Sequence, residues 1–236
     1  MNNAKKSKTI FVCATRLSEV DFMQKSLLAR SLRSVGDLTP VTLKLFPENS
    51  HSLGKVYNQA IDEAASEDIL VFIHDDVYLD DWRAVERIRA ALIDFDLVGV
   101  AGNRRRLAGQ MTWYLGPSAE LGRSGQFDLE WLSGAVRHGS LDGHMSVFGD
   151  SPAEVCLLDG VLLASSAQTL LKSGLRFDPV LDFHFYDLDL CQTAQNLGLR
   201  IGTCALALTH ESIGNSIASE SWVRSQEVYC KKYKSL

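Results

Sequence analysis

Apolar residues in the first hundred positions alternate between short continuous runs and longer segments with helical spacing. The continuous runs IFVCA, ILVFI and LVGVAG predict buried strands, and VTLKLF predicts a further strand. The intervening segments place apolar side chains three and four positions apart, which predicts helices with one buried face. Because repeated strand–helix units with fully apolar strands are typical of parallel sheets, we predict an α/β fold with a mostly parallel central sheet flanked by helices.

Polar residues mark the ends of these predicted helices. Ser18 with Asp21 predicts a capping box at the start of the first helix, and Gly36 predicts its end. Asp80 or Asp81 predicts the cap of a later helix that begins near Trp82 and buries that residue. The aspartates after ILVFI therefore have one purely structural interpretation, as a solvated turn and helix cap.

The pattern changes after Gly102. Residues 103–152 are rich in glycine and aromatic residues and predict loops and short strands. VCLLDGVLLA then predicts a strand, FYDLDLCQTAQNLG a helix ended by Gly198, TCALALTH a last strand, and the final segment a terminal helix. With neither a repeat nor a linker in view, residues 1–236 predict a single domain.

Composition narrows the possible partners and location. The 236 residues are 46% hydrophobic and 22% charged with a formal net charge of −5, so a basic surface for nucleic acid is not expected. Five well-separated cysteines without a CxxC motif favour a reducing compartment. The polar N-terminus has no signal-peptide pattern, and no apolar run approaches the ~18 residues of a membrane span. We expect a cytoplasmic protein without a membrane span.

An acidic group follows directly after the apolar run ILVFI. His74, Asp75 and Asp76 would lie at the carboxyl end of a core strand, where open α/β sheets bind their ligands. Adjacent carboxylates repel each other, and a hard cation such as Mg2+ or Mn2+ compensates for that repulsion and can bridge to a diphosphate. The residues alone leave a metal site and a solvated turn as alternatives.

A second polar cluster lies in LDFHFYDLDLC and contains Asp182, His184, Asp187 and Asp189. Asp187 and Asp189 fall at the start of a predicted helix, where carboxylates interact favourably with free backbone amides. The interleaved aromatic residues would raise the proton affinity of a neighbouring carboxylate, as a general base requires. A helix-start role and a catalytic role are both compatible with this pattern.

The order of the motifs resembles the GT-A glycosyltransferases of the family 2 type. The motifs are CATR, SLGKVYNQAI, HDDV, LDG, FHFYDLDLC and a late strand ending in His210. The resemblance spans nearly the whole chain and is closest to a bacterial branch with His-x-Asp-Val in place of Asp-x-Asp. It implies the GT-A fold, with residues 1–102 binding the nucleotide sugar and residues 103–236 binding the acceptor and supplying the catalytic base.

The resemblance also implies a divalent cation, Mn2+ or Mg2+, on the donor diphosphate. Asp76 is the implied metal ligand and Asp75 the implied ribose or second metal contact. His210 matches a late histidine that reaches the same metal or the diphosphate, although a structural histidine is the alternative. His74 stands where many relatives have the first aspartate, so it would ligate the metal or contact the nucleotide.

Further contacts with the donor are implied residue by residue. They are Thr15 and Arg16 in the loop that cradles the nucleotide, Lys55 and Asn58 in the helix over the base and ribose, and Asp159 and Gly160 beside the donor sugar and acceptor. An exposed lysine on a helix face is the alternative for Lys55. Trp113 and Trp131 would recognise the acceptor or belong to the core.

The resemblance implies that Asp187 is the general base of an inverting transfer, with Asp189 at the helix start or orienting the acceptor. The expected donor is a UDP-, GDP- or dTDP-sugar. The expected acceptor is a glycan, lipid-linked or protein hydroxyl in bacterial surface polysaccharide or glycoconjugate assembly. One alternative is a sugar nucleotidyltransferase, whose usual glycine-rich loop is missing from CATRLSEVD. The other is a non-catalytic module that binds nucleotide sugars or glycans and has no need of a base.

Overall fold

The computed structural model describes residues 7–116, 128–212 and 219–233, and these contain twelve strands and seven α-helices. The strands are β1 (Thr9–Ala14), β2 (Thr42–Phe46), β3 (Ile69–Ile73), β4 (Val77–Leu79), β5 (Leu97–Gly99), β6 (Ala101–Asn103), β7 (Leu132–His138), β8 (His144–Gly149), β9 (Leu157–Leu158), β10 (Leu162–Ser166), β11 (Ile201–Thr203) and β12 (Leu208–His210). The helices are α1 (Glu19–Lys25), α2 (Leu27–Leu38), α3 (Leu53–Glu63), α4 (Ala84–Asp94), α5 (Ala167–Ser173), α6 (Tyr186–Asn196) and α7 (Glu220–Lys232).

The central sheet has six strands in the order β11-β5-β10-β3-β1-β2. The pairs of β1 with β2 and β3, and of β11 with β5, are parallel, whereas β10 runs antiparallel to both of its neighbours. Five of these six strands therefore share one direction, which confirms the prediction of a mostly parallel sheet. The apolar strand β3 lies in the middle of the sheet, and its residues Leu70 to Ile73 are buried.

A second sheet is built mainly from the later part of the chain, in the order β4-β12-β7-β6-β9, with β8 paired to β7. The chain passes between the two sheets at Val100, which separates β5 from β6, and at residues 159–161, which separate β9 from β10. LVGVAG and VCLLDGVLLA are thus two strands each, where one was predicted. Both members of each pair are buried, so the change of sheet leaves no mark in the apolar pattern.

The predicted first helix is in fact two helices, α1 and α2. Ser18 caps α1 by accepting a hydrogen bond from the Asp21 amide (3.1 Å), as predicted, and its hydroxyl donates to the Asp21 carboxylate (3.0 Å). The backbone amide of Ser26 makes the hydrogen bond that ends α1. The Ser26 hydroxyl caps α2 by accepting a hydrogen bond from the Ala29 amide (3.2 Å). Gly36 does not end the helix, because α2 continues to Leu38.

The predicted cap of α4 is wrong. The helix begins at Ala84, and Asp81 accepts instead from the backbone amide of Arg83 (2.9 Å), outside the helix. Asp80 accepts from the Thr209 hydroxyl on β12 (2.8 Å). Trp82, predicted to be buried, is 69% exposed. The unforeseen strand β4 explains the difference, because its pairing with β12 draws the acidic residues into a turn before the helix.

The last elements agree with the predictions except at one strand. Gly198 adopts a left-handed conformation (φ 74°) after the end of α6, and α7 is the predicted terminal helix. Only the two ends of TCALALTH form strands. Its first residue belongs to β11, its last three residues form β12, and the residues between them are irregular. Among the described residues, none of the helices combines the length and the apolar character needed to cross a bilayer.

Candidate active site

Two adjoining cavities open at the carboxyl ends of β1 and β3. The first has a volume of about 640 Å³ and the second of about 650 Å³. Ala14, Leu53, Asp75, Asp76 and Phe183 line both of them. The acidic end of β3 therefore forms the boundary between the two cavities, as expected for a ligand that spans both.

Contacts from the first two helical segments hold the backbone at Asp75. Its carbonyl accepts hydrogen bonds from the Ser26 hydroxyl (2.8 Å) and the Leu28 amide (3.3 Å), both at the start of α2. Its carboxylate accepts from the hydroxyl of Thr15, which follows β1. Thr15 is buried, and its hydroxyl also accepts from the Leu17 amide (3.1 Å). The structure thus brings Thr15 and Asp75 together beside the second cavity.

His74, Asp76 and His210 form a three-residue cluster whose potential ligand atoms all lie within 4.8 Å of one another. The cluster depends on the pairing of β4 with β12, which places His210 opposite Val77 and lets the Glu211 amide donate to the Asp76 carbonyl (3.0 Å). Two ligands bonded at roughly 2.2 Å on opposite sides of a cation lie about 4.4 Å apart, so this spacing fits a divalent cation after a small adjustment.

The electrostatics of the cluster also fit a cation. Burial would raise the pKa of the Asp76 carboxyl, but the hydrogen bond and charge of His210, 3.3 Å away, outweigh it and hold that pKa below its usual value. The pKa of His210 is raised because Asp76 outweighs the effect of burial. The pKa of His74 is lowered by burial and by the charge of His210, which keeps the imidazole neutral. Asp76 and His74 thus have the protonation states that metal ligation requires, an ionised carboxylate and a neutral imidazole, whereas His210 would release its proton to a bound cation.

Asp187 lies in the first turn of α6 and lines the first cavity, together with Asp159 and Gly160. One carboxylate oxygen accepts from the Gly160 amide (3.1 Å) and the other from the Leu188 amide (2.9 Å). Burial, and then the charge of Asp159, raise the pKa of Asp187 to about 7. A carboxylate with this pKa can take a proton near neutral pH, as a general base does.

Gly160 is essential to the shape of the site. A Cβ atom at this position would lie 2.3 Å from the Tyr186 hydroxyl and 3.1 Å from the Cβ of Asp187. Glycine at position 160 therefore lets the chain pack closely against the first turn of α6. Gly160 also lines the first cavity.

Asp189 points away from both cavities. It is 1% exposed and accepts from the Tyr233 hydroxyl (2.7 Å), and it forms an ion pair with Lys232 of α7 (2.7 Å). Phe185, the residue before α6, has a left-handed backbone (φ 65°) and packs against Trp222 of the same terminal helix at 5.1 Å. Asp189 thus fastens α7 to the helix that carries Asp187.

The other residues that were predicted to contact the nucleotide-sugar donor are more widely spread over the structure than Thr15 and Asp75. Arg16 is exposed at the edge of the second cavity. The Asn58 side chain donates to the Phe177 carbonyl (2.8 Å) and accepts from the Phe177 amide (3.0 Å), so it braces α3. Lys55 is exposed, with its amine 3.4 Å from Nδ1 of His51. His51 lines the second cavity, whereas Lys55 and Asn58 are not among the lining residues.

Among residues of the first cavity, sequence reasoning missed His138 and identified Phe183 and Tyr186 only as aromatic neighbours of the acidic residues. His138 lies beside His210 in the β7–β12 pairing, and Tyr186 contacts both His74 and Gly160. Phe183 stacks on the His74 ring with centroids 5.6 Å apart. Trp113 lines the cavity, whereas Trp131 packs on the Arg105 guanidinium at 4.8 Å. The aromatic run around Asp187 was the available signal for Tyr186 and Phe183, but nothing in the spacing pointed to His138.

A family model described as a glycosyltransferase-like family matches residues 45–234. No curated protein matches the sequence. Among solved structures, A197 from STIV is similar with a TM-score of 0.50 at 14% identity, over 86% of this chain and 85% of that one.

Two further similar structures contain ligands. GalNAc-T7 with UDP, GalNAc and Mn2+ has a TM-score of 0.51 at 12% identity, over 98% of this chain and 50% of the other. The mannosyltransferase PcManGT from Pyrobaculum calidifontis, in complex with GDP-Man and Mn2+, has a TM-score of 0.50 at 12% identity, over 91% and 59%. This chain therefore spans about half the length of the GalNAc-T7 chain. At these identities the likeness shows the fold, which is the GT-A fold that the motif order implied.

Proposed function

The chain belongs to the glycosyltransferase-like family whose model matches most of its length, and from this premise we propose that it is an inverting, metal-dependent glycosyltransferase. The proposal is carried by one observation. Asp187, with its pKa raised to about 7, faces the same cavity as the cluster of His74, Asp76 and His210. A general base and a site for the leaving diphosphate are the two requirements of an inverting displacement.

The donor lies across the boundary between the two cavities. Its nucleoside occupies the second cavity, beside Thr15, Arg16 and Asp75, and its sugar enters the first cavity beside Asp159 and Gly160. The volume of each cavity, 640 to 650 Å³, lies within the range of ligand sites, about 300–1,000 Å³. The shape of the two cavities decides which UDP-, GDP- or dTDP-sugar fits, and with it the nucleobase and the sugar of the donor.

Asp187 acts on the acceptor. Its carboxylate removes the proton from the acceptor hydroxyl while that oxygen bonds to the anomeric carbon, and the bond from this carbon to the diphosphate oxygen breaks on the opposite face. The amide of Gly160 holds the carboxylate in place (3.1 Å), and the aromatic walls of the cavity limit the access of water. Inversion at the anomeric carbon follows because attack and departure occur on opposite faces.

His74, Asp76 and His210 are the residues that would hold the divalent cation. When bound, the cation supplies positive charge that stabilises the leaving diphosphate without a proton donor. Two imidazoles and one carboxylate favour Mn2+ over Mg2+, because Mg2+ prefers oxygen ligands. The Mn2+ in two of the similar solved structures supports the same choice.

The aromatic lining of the first cavity supports a glycan acceptor, since flat aromatic faces stack on sugar rings. Trp113, Phe148 and Trp222 line this cavity together with Asp187. The proposed role is transfer to a glycan, free or attached to a lipid or protein, in surface polysaccharide or glycoconjugate assembly.

A donor panel tests the proposal. UDP-, GDP- and dTDP-sugars are incubated with the protein and Mn2+ or Mg2+, with and without simple glycan acceptors, and released nucleoside diphosphate is measured. We expect release from one donor class, faster with Mn2+, and lost in Asp187→Asn. Formation of sugar 1-phosphate and nucleoside triphosphate from added pyrophosphate would instead identify a nucleotidyltransferase. Donor binding without any release would identify a binding module.

A further inference from the structure

Tyr186 connects the two parts of the site described above. Its hydroxyl lies 2.9 Å from Nε2 of His74 and 2.8 Å from the carbonyl oxygen of Gly160. The amide of Gly160 in turn donates to Asp187 (3.1 Å). A chain of three hydrogen bonds therefore runs from a candidate metal ligand to the candidate base, through a buried phenol.

The directions of these bonds are determined by the atoms involved. A phenol has one hydrogen to donate, and a carbonyl oxygen can only accept, so the Tyr186 hydrogen goes to Gly160. Towards His74 the phenol oxygen can then only accept. Nε2 of His74 must carry the ring hydrogen, and Nδ1 keeps the lone pair that a metal ligand needs.

The surroundings of the phenol leave it little freedom. Tyr186 is buried among the aromatic rings of Tyr57 and Phe177, at centroid distances of 6.2 and 6.1 Å. On the other side, the space beside its hydroxyl is free only because residue 160 is glycine, since a Cβ there would lie 2.3 Å away. The ring is thus held in position for both hydrogen bonds.

We propose that Tyr186 is a positioning residue that fixes the Nε2–H tautomer of His74 and, through Gly160, the orientation of Asp187. Metal ligands commonly depend on such a partner behind the ligating ring, and its loss typically weakens metal binding about 10- to 100-fold. The same tyrosine makes the geometry of the base depend on the metal cluster.

The test compares Tyr186→Phe with Tyr57→Phe, which removes a buried phenol hydroxyl from the same aromatic cluster. Nitrogen-15 NMR of the histidine side chains in the metal-free protein, near pH 8, where imidazole is neutral, reports the tautomer. The signals of His74 among the six histidines are assigned by difference from His74→Gln. Binding of Mn2+ alone is measured by electron paramagnetic resonance, and thermal melts check that each variant folds.

We expect the wild type to show the Nε2–H tautomer and Tyr186→Phe a mixture of tautomers, with a Kd for Mn2+ about 10- to 100-fold higher. Tyr57→Phe should match the wild type in both measurements. An Nδ1–H tautomer in the wild type overturns the proposal, as does a Tyr186→Phe variant that binds Mn2+ within twofold of the wild type. If Tyr186→Phe does not fold, the wild-type tautomer alone decides. Neither measurement involves a sugar donor, so a failure of sugar transfer would not affect the result.

Discussion

The raised pKa of Asp187 makes a prediction about stability as well as about catalysis. The Asp187 carboxyl lines the first cavity and has a pKa of about 7, whereas an aspartate in an unfolded chain has a pKa of about 3.9. Between these two values the folded protein holds a proton that the unfolded chain has lost. The free energy of unfolding therefore falls as pH rises through this window, and the contribution levels off above about pH 7.

The size of the effect follows from the shift. Each pH unit within the window changes the free energy of unfolding by about 1.4 kcal/mol, so the two units from pH 5 to pH 7 are worth roughly 3 kcal/mol. Asparagine does not titrate, so Asp187→Asn should lack this part of the pH dependence. Comparing each protein with itself at two pH values removes the constant cost of exchanging the side chain.

The assay is urea unfolding at about pH 5 and pH 8, for the wild type, Asp187→Asn and Asp37→Asn. Asp37 is exposed, so its replacement provides the matched control. We expect the wild type and Asp37→Asn to lose roughly 3 kcal/mol more than Asp187→Asn between the two pH values. Equal losses in all three proteins would refute the assignment of a raised pKa to Asp187.

The same variant separates catalysis from binding. With a donor identified, the kcat/KM of the wild type should fall about tenfold for each pH unit below 7, because only the ionised carboxylate accepts a proton. Asp187→Asn should lose about 100-fold or more in rate with little change in nucleotide affinity. A large loss of nucleotide affinity would contradict the role of base.

Three further variants test other parts of the site. Asp76→Asn should raise the Kd for Mn2+ at least tenfold in a calorimetric titration, and an unchanged Kd would remove this residue from the metal site. Lys232→Met removes the ion-pair partner of the buried Asp189 carboxylate in α6, and should lower the free energy of unfolding by about 1–3 kcal/mol. The loss stays below that of a fully buried ion pair because Lys232 is partly exposed. The control Lys231→Met should change the free energy of unfolding by less than about 0.5 kcal/mol. Gly160→Ala should abolish transfer by displacing the first turn of α6. Gly116→Ala, whose added Cβ would have no described atom within 4 Å, should not. Equal activities would contradict the steric argument.

Most of the strands and helices of the first hundred residues were predictable because each has its own apolar pattern, but β4 and the break between α1 and α2 left no such pattern. The run ILVFI coincides with β3, and Ser18 caps α1 as predicted. The carboxyl end of β3 could likewise be recognised as a ligand site, since a charged group after a buried strand lies at the edge of the sheet.

Most of the second sheet could not be predicted, because β4, β6, β9 and β12 have only two or three residues each and pair with residues that are distant in sequence. The pairing of β4 with β12 brings His210 to Asp76, and only the fold reveals that contact. Asp187 and Asp189 illustrate the same limit within one helix turn. They have similar sequence neighbours, yet one lines the cavity and the other is buried against α7, and no local signal distinguishes them.

Two of the five points at which the chain crosses between the sheets have a mechanical consequence. Val100 and residues 159–161 each join a strand of the central sheet directly to a strand of the second sheet, so neither sheet can swing relative to the other without bending two buried connections. For the proposed transfer, this means that the residues around both cavities belong to one connected frame, so part of the entropy of aligning donor and acceptor is met when the chain folds.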